Sequence, residues 1–198
     1  MGDAATLAFY EKHAPHLTLS TGCAPSRDLD SFLDPLAAGE RVLELGCGTG
    51  RDAARMAERG FDVDATDGAA AMVRKANKCF GIGARLMRFD ELQAESAYDA
   101  VWSHASLLHV ARADLPDILD RIHRALRPGG WHYASYKLGK GEGRCTFGRL
   151  HNLPDRNWIA ARYRKTGFTV VDSRIWEGEG ANGTVGDWIA LTMRRSEP

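Results

Sequence analysis

The sequence predicts a doubly wound α/β fold: a seven-stranded, mostly parallel sheet with helices on both faces and one antiparallel strand near its edge. Three observations carry that expectation. From residue 41 onward, short apolar runs alternate with helix-period segments, an order that calls for parallel strands joined by crossover helices. The first run ends in the cluster Gly46-Cys47-Gly48-Thr49-Gly50, directly before a helix. The last two runs have no helix between them, only a link holding Asn182-Gly183, a reverse-turn signal, so they are expected to pair antiparallel.

Each element has its own reason. Arg41–Leu45 is a short apolar run, and Thr49–Arg59, rich in Ala and Met, reads as a helix stopped by Gly60. Phe61–Thr66 alternates as a strand does. Ala69–Cys79 places Ala70, Val73 and Ala76 at helical spacing, and Gly81 and Gly83 end it. Arg85–Phe89 and Tyr98–Ser103 are the next strands. In the clearest helix, Asp114–Arg127, Leu115, Ile118, Leu119, Ile122 and Leu126 form one stripe. Asp114 is its expected cap and Pro116 stands in its first turn. Arg127-Pro128-Gly129-Gly130 stops it before a strand at Trp131–Tyr136. A last helix, Pro154–Lys165, precedes strands at Phe168–Trp176 and Asp187–Met193. Residues 41–195 form the expected core, with residues 1–40 as one or two helices covering the sheet's carboxyl edge. The whole of 1–198 reads as one domain.

Lys plus Arg and Asp plus Glu number 26 each, so the formal net charge is zero. That balance offers no long-range attraction to nucleic acid or to an anionic membrane, and the default partner is a small molecule. Cys23, Cys47, Cys79 and Cys145 are scattered without metal-ligand spacing and read as reduced thiols of a cytoplasmic protein, monomer or homodimer, with no metal. No apolar run approaches the length of a membrane helix, and the first residues lack a signal-peptide layout.

The glycine cluster carries chemistry. Glycine admits backbone angles closed to other residues and lets a ligand touch the main chain, and the helix start beyond it presents free amides. Asp67, at the end of the second strand, faces the same crevice and can accept both hydroxyls of a ribose. Two ribose-bearing cofactors compete. Gly48-x-Gly50-x-x-Ala53 fits the dinucleotide pattern of NAD. Against it, Glu44 inside the strand would repel a pyrophosphate yet attract the amino group of a methionyl moiety.

Val42-Leu-Glu-Leu-Gly-Cys-Gly-Thr-Gly50 resembles the first motif of the class I S-adenosylmethionine-dependent methyltransferases, and Asp67 stands where that family's ribose-binding acid stands. Tyr98-Asp-Ala-Val-Trp-Ser103 resembles its fourth-strand motif and Leu126-Arg-Pro-Gly-Gly130 the turn before its fifth strand. The likeness is nearest to small bacterial members of the tellurite-resistance-related and ubiquinone-biosynthesis-like kinds. It implies a Rossmann-like sheet, S-adenosylmethionine as cofactor and S-adenosylhomocysteine as product. It assigns the methionyl and ribose portions to the turn of Gly46, Cys47, Gly48 and Gly50, with Arg51 and Asp52 reaching the cofactor's carboxylate or amine. Gly68 and Met72 fall beside the adenine, Asp90, Glu91 or the backbone at Phe89 near its amino group, and Ser103 at the fourth strand's end.

Methyl transfer is an in-line displacement in which the protein aligns the acceptor and excludes water. A general base serves only an acceptor that must lose a proton. His104 and His109 are the base candidates, His104 because it leaves the strand directly toward the crevice. Tyr10, His104, Tyr136, Lys137, Arg149 and His151 are the acceptor-contact candidates. Gly139–Gly143 reads as a mobile loop leading to basic residues able to fold over an acidic acceptor. Two other function classes stand beside methyl transfer: a non-catalytic cofactor-binding regulatory module and an NAD-dependent oxidoreductase.

Overall fold

The computed structural model describes residues 2–21, 24–180 and 183–196, with only the backbone for 15–21. Cys23 and Asn182 lie outside the described residues. Helices α1 (Ala4–Thr21) and α2 (Leu29–Leu33) precede the sheet. Then follow β1 (Arg41–Leu45), α3 (Arg51–Glu58), β2 (Asp62–Asp67), α4 (Ala70–Phe80), β3 (Arg85–Leu86), β4 (Tyr98–Ser103), α5 (Leu115–Ala125) and β5 (Leu126–Lys137). The chain ends with β6 (Gly141–Arg144), β7 (Leu150–Leu153), α6 (Arg156–Lys165), β8 (Phe168–Glu179) and β9 (Val185–Arg195).

Seven strands form one sheet in the order β3-β2-β1-β4-β5-β9-β8, and β9 runs antiparallel to both of its neighbours. The order reverses between β1 and β4, so a crevice opens beyond their carboxyl ends. Side chains alternate across the sheet. Leu43, Leu45, Val101, Ala134 and Tyr136 pack toward α5 and α6, whereas Val42, Ala100, Trp102 and Tyr133 pack toward α2 and α3. Asp52 ties this second layer together: its Oδ1 accepts the Ser26 amide at 2.7 Å and its Oδ2 the Trp102 indole N–H at 2.9 Å. Among the described residues no helix is long and apolar enough to cross a membrane.

Four local expectations need correction. β3 is only two residues long, because Glu91 accepts the Arg88 amide and folds Phe89–Glu91 into a tight turn. α5 ends before Leu126 because that residue already pairs with Tyr98 as the start of β5. Asp114 precedes α5 without a side-chain capping bond, its own backbone being helical. Most consequential, Gly139–Gly143 is no free loop: β6 and β7 pair into an antiparallel ribbon. Gly141 pairs with Leu153, and Gly139 packs so closely beside it that an added methyl would lie 2.8 Å from the Leu153 Cβ.

Candidate active site

The turn after β1 is shaped by two glycines in left-handed backbone, Gly46 (φ 82) and Gly48 (φ 56). The Gly46 and Cys47 amides both donate to the Thr66 carbonyl, at 2.9 and 2.8 Å, which pins the turn to β2. A methyl on Gly46 would sit 2.6 Å from Ser106 Cβ. At Gly48 only the Met72 methyl comes within 4 Å, at 3.9 Å, so an added side chain would fill open space in the crevice. Asp67, ending β2, points into this turn: Oδ2 accepts the Gly48 amide at 3.0 Å and Oδ1 the Ala69 amide at 2.9 Å. Burial pushes its carboxyl up to about 6, against the pull of those amides.

Glu44 lies beneath the turn with its Oε2 buried and unpartnered. Burial first, then the charges of Asp52 and Asp67, drive its carboxyl well above the usual carboxylate range. Cys47 is buried here and its thiol is pushed up strongly, by burial and then by Glu44 and Asp67. A hollow so rich in acids favours a cation and disfavours a pyrophosphate. Gly46, Cys47, Gly48, Asp67, Gly68 and Met72 all line it, as sequence reading expected, and Thr49 joins them. Arg51 and Asp52 also reach its edge, but both Asp52 oxygens are occupied as described, and Arg51 donates to Ser26 Oγ at 3.2 Å.

Several expected residues stand elsewhere, and strand alternation or local pairing explains each. Gly50 faces α4, where a methyl would meet Ile82 Cδ1 at 2.9 Å, so it serves helix packing. Ser103 shares the face of Val101 and is buried away from the crevice with its hydroxyl unpartnered. Tyr136 shares the face of Ala134; its hydroxyl meets that of Tyr163 at 2.9 Å inside the core. Asp90 and Glu91 turn back onto Arg88, at 3.2 and 2.9 Å, leaving Arg88 and Phe89 to line the wall.

The two histidines after β4 differ sharply. His104 stacks along Trp102 and Tyr133, lines the crevice and has no hydrogen-bond partner among the described residues. Desolvation lowers its pKa, so it stands neutral with ring nitrogens unused. The next residue, Ala105, is held in left-handed backbone (φ 50), with its amide donating to Ser135 Oγ at 2.8 Å. Such strain costs about 1 kcal/mol and persists only where surrounding bonds enforce it. His109, by contrast, has both nitrogens engaged: Nδ1 with the Leu150 carbonyl at 2.7 Å and Nε2 with the Tyr10 hydroxyl at 2.9 Å. Burial pushes its pKa down to about 3. It is a structural post, not an open base.

The opposite wall is built by α1, the β6–β7 ribbon and the ends of β8 and β9. α1 packs on β2's end, its Leu7 Cδ2 lying 3.0 Å from where a Gly68 methyl would stand. It is tied to the ribbon by Arg144 donating to Asp3 at 2.8 Å and by the Leu150 amide donating to Thr6 Oγ1 at 2.9 Å. Tyr10, Lys137, Arg149 and His151 all line this wall, as expected. Trp176 and Trp188 line it too, a cross-strand pair 6.2 Å apart that sequence reading missed. Their signal was present, since each stands in one of the last two strand-like runs, but only the strand register reveals that they meet. The crevice measures about 680 Å³, within the range of small-molecule sites.

Arg149 is the unusual member. It is 2% exposed, its guanidinium donates to the Tyr10 hydroxyl at 3.1 Å, and its Nε has no partner. No ion pair joins it to any carboxylate among the described residues. The rings of Phe9, Tyr10 and Phe147 lie 4.6, 5.7 and 5.9 Å from it. Cation–π contacts return about 0.5–2 kcal/mol each, against several kcal/mol for desolvating an ion.

Comparison with known proteins agrees with this geometry. Residues 42–130 match the profile of a methyltransferase domain. Over 109 residues the chain is 35% identical to trans-aconitate 2-methyltransferase of Deinococcus radiodurans, an alignment covering 54% of this chain and 41% of that one. Over 107 residues it is 36% identical to an uncharacterised methyltransferase of Mycobacterium tuberculosis, covering 51% and 53% respectively. The chain thus spans about half the length, or less, of these curated relatives. Among solved structures, Burkholderia thailandensis 1,6-didemethyltoxoflavin-N1-methyltransferase, with 1,6-didemethyltoxoflavin and S-adenosylhomocysteine bound, superposes with a TM-score of 0.76 at 21% identity, covering 96% of this chain and 85% of that one. The cyclase SpnF superposes at 0.77 and 18% identity, covering 96% and 95%. The chain is thus similar to methyltransferases twice over, in the domain profile that residues 42–130 match and in the fold it shares with these structures.

Proposed function

We propose that this chain, as one catalytic domain with residues 1–40 as its cover, transfers a methyl group from S-adenosylmethionine to a small-molecule acceptor. The observation that carries the reading is the acid-lined turn. Asp67 is fixed on the Gly48 amide, and the buried Glu44 Oε2 lacks a partner in a hollow whose glycine leaves room for a ligand. Bound there, S-adenosylmethionine supplies an electrophilic methyl on a sulfonium and departs as the neutral thioether. Asp67 would take the ribose hydroxyls, and Glu44 the ammonium of the methionyl group. Met72 and Gly68 would flank the base, with Phe89 on the facing wall.

His104 is the catalytic candidate. With an acceptor that must lose a proton as it takes the methyl, the free imidazole nitrogen of His104 would receive that proton. Tyr10 and His109 hold α1 against the ribbon and keep water from the crevice. The acid-rich hollow disfavours the dinucleotide alternative.

The test is calorimetric titration with S-adenosylmethionine and S-adenosylhomocysteine, followed by an acceptor screen read by thioether release. Micromolar binding with turnover on an acceptor is the expected result. Absence of binding at millimolar ligand overturns the proposal, and binding without turnover on any acceptor turns it into a regulatory module.

A further inference from the structure

We infer that the acceptor is a small carboxylate, seated on Arg149 at the wall formed by the ribbon and α1. This deepens the methyltransferase reading and rests on it. The reason is a buried cation without a counter-ion that faces the crevice. Its aromatic neighbours shield it from water without neutralising it, and its Nε is bonded to nothing. A planar guanidinium with donors unspent is built for two-point recognition of a carboxylate.

The surrounding charges do not meet that need. Asp3 is taken by Arg144, and Arg88 by Asp90 and Glu91. Lys137 donates to Thr184 Oγ1 at 2.6 Å and lies at the rim. Glu179 lines the mouth but is exposed and bonds with none of these cations. Cys145 stands next to Arg149: burial raises its thiol, but the Phe147 backbone and the Arg149 guanidinium outweigh that and leave it below its ordinary value. His151 is half-buried and pushed down to about 4, by burial and then by Arg149 and Lys137, so it offers an N–H without a second fixed charge. One buried positive charge matches a monoanion better than a dianion. The carboxylate is therefore the acceptor's handle, and the stacked Trp176 and Trp188 offer an apolar surface for its body.

The experiment is calorimetry on the full chain saturated with S-adenosylhomocysteine, titrated with benzoate, benzamide and phenyl phosphate. Benzoate is expected to bind at least tenfold more tightly than benzamide, and more tightly than phenyl phosphate. Arg149→Gln is expected to abolish that preference while holding S-adenosylhomocysteine affinity within twofold. Equal binding of benzoate and benzamide by the wild-type chain overturns the inference, as does preference for phenyl phosphate or a preference that survives Arg149→Gln. Should that variant not fold, Arg149→Lys decides: it keeps the charge but loses the two-point grip, and unchanged benzoate affinity counts against the seat. A wild-type chain that fails to bind S-adenosylhomocysteine sinks the underlying methyltransferase reading instead, whatever benzoate does.

Discussion

The crevice has two walls made by different means. The cofactor wall is assembled from contiguous sequence at the ends of β1 and β2, and backbone does most of the work: positive-φ glycines, amides on one carbonyl, and one carboxylate on an amide. The acceptor wall is assembled from segments more than a hundred residues apart. Arg144 meets Asp3 and Arg149 meets Tyr10 side chain to side chain, and the Leu150 amide meets the Thr6 hydroxyl. The methyltransferase match covers residues 42–130 and stops before the ribbon begins. On the proposed function, the contrast teaches that cofactor binding can rest on local backbone geometry while acceptor choice rests on long-range contacts.

Five substitutions break or sharpen that comparison. The largest effect belongs to His104, where the walls meet. His104→Ala is expected to lower turnover by about 10²–10⁴-fold, with S-adenosylmethionine affinity unchanged by calorimetry. Asp67→Ala is expected to weaken cofactor binding by about 100-fold, from loss of two charge-assisted hydrogen bonds. The same group gives a pH signature. Its carboxyl titrates at about 6 in the free crevice and must be ionised to accept hydroxyls. Affinity is thus full above that value and falls about tenfold per unit below it. Flat affinity between pH 7 and 5 would remove Asp67 from the site.

Gly46→Ala puts a Cβ 2.6 Å from Ser106 at φ 82 and is expected to cost about 2 kcal/mol or more, seen as a drop in thermal midpoint. His132 tests the core away from both walls. Buried between the Val101 carbonyl and Tyr163, its pKa is pushed down to about 4, against an unfolded value of about 6.5. Between those values the unfolded chain binds the extra proton, so stability falls as pH drops through that window, by up to about 1.4 kcal/mol per unit. His132→Gln is expected to lessen that slope in melts from pH 7 to 5, with the depressed His109 and His151 retaining the remainder. The smallest effect is Glu91→Gln, which removes the charge of the surface pair with Arg88 yet keeps an oxygen to accept the Arg88 amide, and should leave cofactor affinity within about twofold.

How much of this was legible in the sequence follows the same division. The sheet, its antiparallel β9 and the stripe of α5 are written in local periodicity, and the structure buries Leu115, Ile118, Leu119 and Ile122 as that stripe requires, with Leu126 buried instead as the first residue of β5. Asp67 and the turn at Gly46–Gly48 were legible because their geometry is dictated within a few residues. Tyr136 was misplaced because a residue at a strand's carboxyl end faces the crevice or the core according to its parity, and register alone decides that. Asp90 and Glu91 were misplaced because a neighbouring arginine competes for them. The ribbon was read as a loop because Gly141-Glu142-Gly143-Arg144 has no strand periodicity of its own and pairs only because β7 lies beside it.

The ribbon's position has an evolutionary corollary. It pairs with no strand of the seven-stranded sheet, being its own two-stranded unit spliced between β5 and α6. Such a strip can be lengthened, shortened or exchanged without shifting any register in the scaffold. On the proposed function, diversification toward new acceptors is therefore expected to proceed by turnover of residues 138–153, while the turn after β1 stays as inherited.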